Sequence, residues 1–197
     1  MATDLPHEEA TATGPGRPFV LSWVRAVIVG AVVLGLGSRV VMRIVGALAT
    51  PEHAGEATVA GNVVGNVTVG GSLGLMVPGA FAGGIAGLLY LGVRRWLPRA
   101  GLARGLVFGL LLLGVLGRAV TDGNERDFQL AAPLLALVLF GLLFIVDGLI
   151  TALVVERVEP RLPSQRPSTI GYVIIGAVTL LTLATFVIDA GQVLDAA

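Results

Sequence analysis

Five long apolar runs, parted by short polar segments, organise this chain. They lie near residues 20–48, 71–93, 102–120, 132–155 and 170–190. A helix that crosses a bilayer needs about 20 mostly apolar residues, and each run is long enough. The pattern predicts an all-α bundle of five transmembrane helices, a single domain over 19–197. The first 18 residues, MATDLPHEEATATGPGRP, are polar and rich in Pro, Gly and Thr. They read as a disordered tail.

The polar segments carry a sidedness. Arg94, Arg95, Arg99 and Arg104 follow the second run, and Arg157, Arg161 and Arg166 follow the fourth. The segment after the first run has no Lys or Arg, and TDGNERDFQLAA after the third has one Arg against three acids. Basic loops stay cytoplasmic. This predicts a bacterial cytoplasmic-membrane protein with the N-terminus inside and the C-terminus outside. Trp23 and Trp96 then fall at the inner interface, where indole rings collect. A cleaved leader ending at ALA, residues 47–49, is the competing reading. It would be unusually long, with Arg39 and Arg43 between its apolar stretch and the cut.

Composition agrees with the pattern. Only 13% of the 197 residues are charged, with 55% hydrophobic and a mean hydropathy of +0.89. Soluble domains carry roughly 25% charged residues, so a surface facing water on all sides is excluded. The formal charge of +0 offers no field for nucleic acid. All thirteen basic residues are arginine and there is no cysteine, which removes disulfides, thiol catalysis and thiolate metal sites.

The runs also repeat. RAVIVGAVVLGLGSRVV from Arg25 and RGLVFGLLLLGVLGRAV from Arg104 both set two arginines fourteen residues apart. Both place glycines five and ten residues after the first arginine. VRRWLPR from Val93 and VERVEPR from Val155 share V-x-R-x-x-P-R. These matches predict a parallel duplication of helices one and two as helices three and four, about an axis along the membrane normal. The alternative is coincidence between apolar sequences.

Arg39 and Arg43 raise a question of depth. At about 100° per residue, Arg25, Arg39 and Arg43 share one face of an unbroken helix. Arg25 and Arg39 stand about 21 Å apart along it, against an apolar thickness of roughly 30 Å. With Arg25 at the inner interface, Arg39 falls in the outer half of the membrane and Arg43 near its outer boundary. Arg118 takes a similar depth in the third helix. An unpaired charge at mid-bilayer costs about 2.5–3.5 kcal/mol. Three readings are open: snorkelling to outer headgroups, a buried ion-pair network, or an anion or substrate site. The acids at that depth are Asp189 and the loop residues Asp122, Glu125 and Asp127. An outer cluster of Arg39, Arg43 and Arg118 with these acids is the expectation.

Asp147, in LLFIVDGLITALVV, is the only acid deep within a run. Such a group is a functional candidate by default. It either carries a proton or locks helices together. Thr179, Thr182, Thr185, Asp189 and Gln192 fall within an arc of about 140° on the fifth helix. That stripe lines a wet path, or its threonines bond back to their own helix and pack. Gly79, Gly83 and Gly87, and Gly105 with Gly109, are spaced for close helix approach. Pro78 is placed to kink the second helix. The segment ATVAGNVVGNVTVGG, with Asn62 and Asn66, fits a short external hairpin. Asp122, Asn124 and Asp127 offer oxygens to calcium without the full loop pattern.

His7 and His53 both lie in polar segments, and no nucleotide-binding loop or nucleophile elbow is present. No catalytic, cofactor-binding or metal-binding residue is assigned, and the chain is not expected to be an enzyme. The stretches RVVMRIVG, NVTVGGSLGLM, RRWLP, RGLVFGLLL and NERDFQLAAP resemble a group of actinobacterial multi-pass membrane proteins with no established activity. The resemblance covers most of the chain after Val20 and implies location and fold only. Two functions stay open. One is a non-catalytic structural or accessory membrane component, in contact with the lipid bilayer and with itself or a membrane partner. The other is a small oligomeric transporter or channel subunit using Asp147 and the stripe on the fifth helix.

Overall fold

The computed structural model describes residues 16–48, 69–98, 101–123, 132–158 and 169–195. Every element among them is helical. Five helices are long and apolar enough to cross a membrane: α1 (Phe19–Ala47), α2 (Val69–Trp96), α3 (Gly101–Asp122), α4 (Pro133–Arg157) and α5 (Thr169–Asp195). This is the layout of a multi-pass membrane protein. Most of each helix's surface stays uncovered and apolar, with Phe81, Val77, Leu180, Leu181 and Ile188 among the exposed side chains. Such a surface suits lipid and not water. The N-terminal tail, the hairpin segment with Asn62 and Asn66, the calcium candidates Asn124 and Asp127, Glu125, and Arg161 with Arg166 lie outside the described residues.

Glycine decides how α1 meets α2. A Cβ on Gly30 would fall 2.6 Å from the Gly79 carbonyl oxygen, and one on Gly87 would fall 2.6 Å from the Ala26 Cβ. One on Gly79 would fall 2.6 Å from the Gly35 nitrogen. Only glycine lets the backbones come this close. As the α1 number rises the α2 number falls, so the pair is antiparallel. α3 and α4 repeat the arrangement. A Cβ on Gly105 would meet Leu149 Cα at 2.9 Å, and one on Gly109 would meet Ile145 Cα at 2.7 Å.

These contacts bear on the duplication. Aligning Arg25 with Arg104 pairs Ala26 with Gly105 and Gly30 with Gly109. Aligning Val93 with Val155 pairs Gly83 with Ile145 and Gly87 with Leu149. The contact of Gly30 with Gly83 becomes that of Gly109 with Ile145, and Ala26 with Gly87 becomes Gly105 with Leu149. The two pairs therefore share one internal register. They meet through α1 on α4 and through Tyr90 of α2 edge-on to Phe108 of α3, ring centres 5.0 Å apart. The first of these contacts is extensive and the second slight, so the two cross-contacts are not equivalent. α4 also reaches α2 and α5, and so touches all four other helices. α5 lies parallel to α3, with Thr182 against Gly114 and Phe186 against Gly117.

Two helices are not regular. α1 is π-helical over Ala31–Leu36 and α3 over Leu113–Gly117. The aligned glycines Gly35 and Gly114 both fall in these turns. The Ser38 hydroxyl donates to the Gly35 carbonyl at 2.7 Å, just past the first. A π turn holds an extra residue, which rotates everything beyond it by about 100°. The expectation that Arg25 shares a face with Arg39 and Arg43 fails for this reason.

Candidate functional site

Polar side chains gather at three depths. At the end where α1 begins and α2 ends, Tyr90 is wholly buried and its hydroxyl donates to Glu156 Oε1 at 2.9 Å. Arg104 Nη1 forms an ion pair with Glu156 Oε2. Arg104 Nε donates to the Pro98 carbonyl at 2.8 Å. One carboxylate thus joins α2, α3 and α4. Arg104 is 15% exposed and Glu156 40%, so water screens the pair from one side only. Nearby, the Trp23 indole donates to the Gly84 carbonyl at 3.0 Å. Arg95 lies over the Trp96 ring, 4.1 Å from its centre, a stabilising cation–π contact. Trp96 in turn packs on Gly171 at the start of α5.

In sequence Arg104 belongs to a basic segment, and neither Glu156 nor Tyr90 stands out. One signal was available. Glu156 is the acid that stands where the matching segment of the first pair has Arg94.

At the opposite end, Arg118 Nε lies 3.0 Å from Asp189 Oδ2 and 3.4 Å from Asp122 Oδ2. Its N–H is directed at Asp122. Of the expected cluster, Arg118 meets Asp189 and Asp122, and the contact with Asp189 ties α3 to α5. Arg39 is 6% exposed, on the stretch of α1 where Val41 and Val45 pack with Ala136, Leu137 and Val193. Arg43, one turn further, is exposed. Both arginines are engaged in interactions. Glu125 and Asp127, the other acids expected in the cluster, lie outside the described residues.

Between the ends sits Asp147, with no exposed surface. Neither carboxylate oxygen has a hydrogen-bond partner among the described residues, and the same holds for Thr151 one turn along. Burying a polar group without a partner costs free energy, so this position is destabilising. It lies on the helix that touches all the others.

The stripe on α5 divides. Thr182 donates to the Val178 and Thr179 carbonyls at 2.9 and 3.1 Å, and Thr185 to Thr182 at 2.8 Å. These hydroxyls serve their own helix. Thr179 is buried and Gln192 is exposed. The crevice beside the stripe, lined by Leu113, Phe140, Phe144 and Phe186, is apolar. Among the described residues, no group of three or more His, Cys, Asp or Glu side chains gathers to hold a metal.

Comparison with known proteins gives no match to a family model, a curated protein or a solved structure.

Proposed function

We propose that this chain is a non-catalytic structural or accessory component of a bacterial cytoplasmic membrane, of the actinobacterial group that its motifs resemble. One observation carries the reading. Two of the ion pairs described join helix to helix: Arg104 with Glu156, which Tyr90 also meets, across three helices, and Arg118 with Asp189 across two. Side chains used this way hold a bundle together. The back-bonded threonines of α5 point the same way. The basic segments after α2 and α4 face the cytoplasm in this reading, and the arginines at the other end face outward.

A second reading keeps one specific support. Asp147 is buried, ionisable and unpartnered, and a carboxylic acid in mid-membrane suits proton or cation movement. In that reading the chain is a subunit of a small oligomeric transporter or channel.

Native mass spectrometry of the protein, extracted in mild detergent from its host membrane, tests the first. A second, different chain in the complex is expected. A homo-oligomer alone, combined with ion flux in liposomes that Asp147→Asn abolishes without unfolding the protein, overturns it in favour of transport.

A further inference from the structure

The two helix pairs share one register, so the positions where they differ carry information. In the second pair the arginine that opens the first helix, Arg104, is answered by Glu156 at the end of its partner. In sequence the same alignment sets Arg25 in the place of Arg104 and Arg94 in the place of Glu156, with Arg94 in a tighter turn at the helix end where Glu156 is still α-helical. The first pair therefore has arginine at both positions. Arg25 is partly buried, and its Nη1 is buried with no hydrogen-bond partner among the described residues. Guanidinium groups take carboxylate or phosphate in the same forked geometry. Where the second pair supplies its own carboxylate, the first supplies a second cation.

We infer that Arg25 and Arg94 hold the phosphate of an anionic phospholipid headgroup between the ends of α1 and α2. The phosphate takes the place that the Glu156 carboxylate fills in the second pair. The surroundings favour a lipid over a soluble phosphate. The same two helices expose apolar side chains: Phe19, Val20, Val24 and Ile28 on α1, and Leu88 on α2. Acyl chains can lie along that surface while the headgroup meets the charges. Trp23 and Trp96, the side chains that favour headgroup depth, mark the same level. Basic pockets between transmembrane helices hold headgroups by this combination. The inference rests on α1 and α2 crossing a bilayer and not on the accessory role. Release of the protein from membranes by an alkaline wash would defeat the crossing and the inference with it, whereas loss of the accessory role alone would leave the inference standing.

The test uses full-length protein in mild detergent, offered phosphatidylglycerol or phosphatidylcholine and weighed by native mass spectrometry. Wild-type protein is expected to retain one phosphatidylglycerol in preference to phosphatidylcholine. Arg25→Gln should weaken that retention about fivefold, from about 1 kcal/mol per arginine near a headgroup. Arg94→Glu copies the second pair and closes the site with an internal ion pair. It should remain folded, with an unchanged or raised melting temperature, and lose the lipid by more than the Arg25→Gln loss. Arg104→Gln should leave retention unaltered. Equal retention of both lipids, or full retention by Arg94→Glu, overturns the inference. Release of the lipid by inorganic phosphate, but not by chloride at equal ionic strength, also overturns it, in favour of a soluble-anion site.

Discussion

Gly83→Ala measures how close α1 and α2 stand. A Cβ at Gly83 would fall 2.5 Å from the Ala26 carbonyl oxygen and 2.7 Å from Gly30 Cα. Both neighbours are backbone, so no rotamer change can make room and the helices must part. Overpacking of this kind costs about 1–3 kcal/mol. Alanine returns up to about 1 kcal/mol through its better helix propensity, which sets a lower bound on the clash if the protein is destabilised at all. Gly74→Ala supplies the control, because a Cβ there meets nothing within 4 Å. It keeps the propensity gain and has no clash. The assay is thermal unfolding in one detergent, followed by intrinsic tryptophan fluorescence. For a chain of this size, about 2–4 °C accompanies each kcal/mol. Gly83→Ala should therefore melt roughly 2–12 °C below Gly74→Ala. Gly109→Ala should fall with Gly83→Ala, since it meets Ile145 Cα at 2.7 Å in the second pair. Equal melting of Gly83→Ala and Gly74→Ala would refute the close seam, and the shared register with it.

Three further outcomes follow from the polar groups. Tyr90→Phe should lose about 1 kcal/mol, while Glu156→Ala should lose more, because it strips both Arg104 and the buried Tyr90 hydroxyl of their partner; chemical unfolding of the two variants gives the order. Asp189→Arg should destabilise the bundle and be partly rescued by Arg118→Asp, and the absence of rescue in a melting series would break that pairing. Asp147→Ile, which copies the aligned Ile85 of the first pair, should raise stability by about 1–3 kcal/mol, since it removes an unpartnered buried acid; a lower melting temperature would mean that Asp147 has a partner.

The spans were legible because apolar length is a property of sequence alone. Their ends were less so. The second run was read as ending at residue 93, yet α2 continues to Trp96 through a tighter turn at Arg94–Trp96. Arginine stems and indole rings tolerate the interface, so helical hydrogen bonding outlasts the hydrophobic signal. The π turns had no signature of their own. Gly35 and Gly114 mark them only in retrospect, through the close approach each makes: Gly35 to Leu75 and Met76, Gly114 to Thr182. The pairing of Asp189 with the arginine level was readable from depth. Which arginine it meets was not, because depth fixes height along the membrane normal and leaves rotation about each helix open. The same limit hid Tyr90 and Glu156, which meet across a register that only the packed helices define.

The register shared by the two helix pairs gives these differences an order. Where both pairs carry glycine at the seam, the shared geometry explains it. Glycine stands at Gly30 and Gly109 because both seams pass there; Arg39 and Arg118 also match, but the first is buried and the second half exposed, so geometry does not explain that pair. Where they differ, geometry alone does not decide the residue. Ile85 and Asp147 occupy matching positions, so the fold accepts an apolar side chain there and does not require a carboxylate. Asp147 costs stability that the isoleucine does not. Arg94 and Glu156 also match, and Glu156 fastens three helices while Arg94 leaves a cationic site open. The second pair is thus internally closed at its basic end and polar at its middle. The first is apolar at its middle and open at its basic end. Two halves with separate tasks, lipid at one and a proton, cation or partner helix at the other, would account for that exchange.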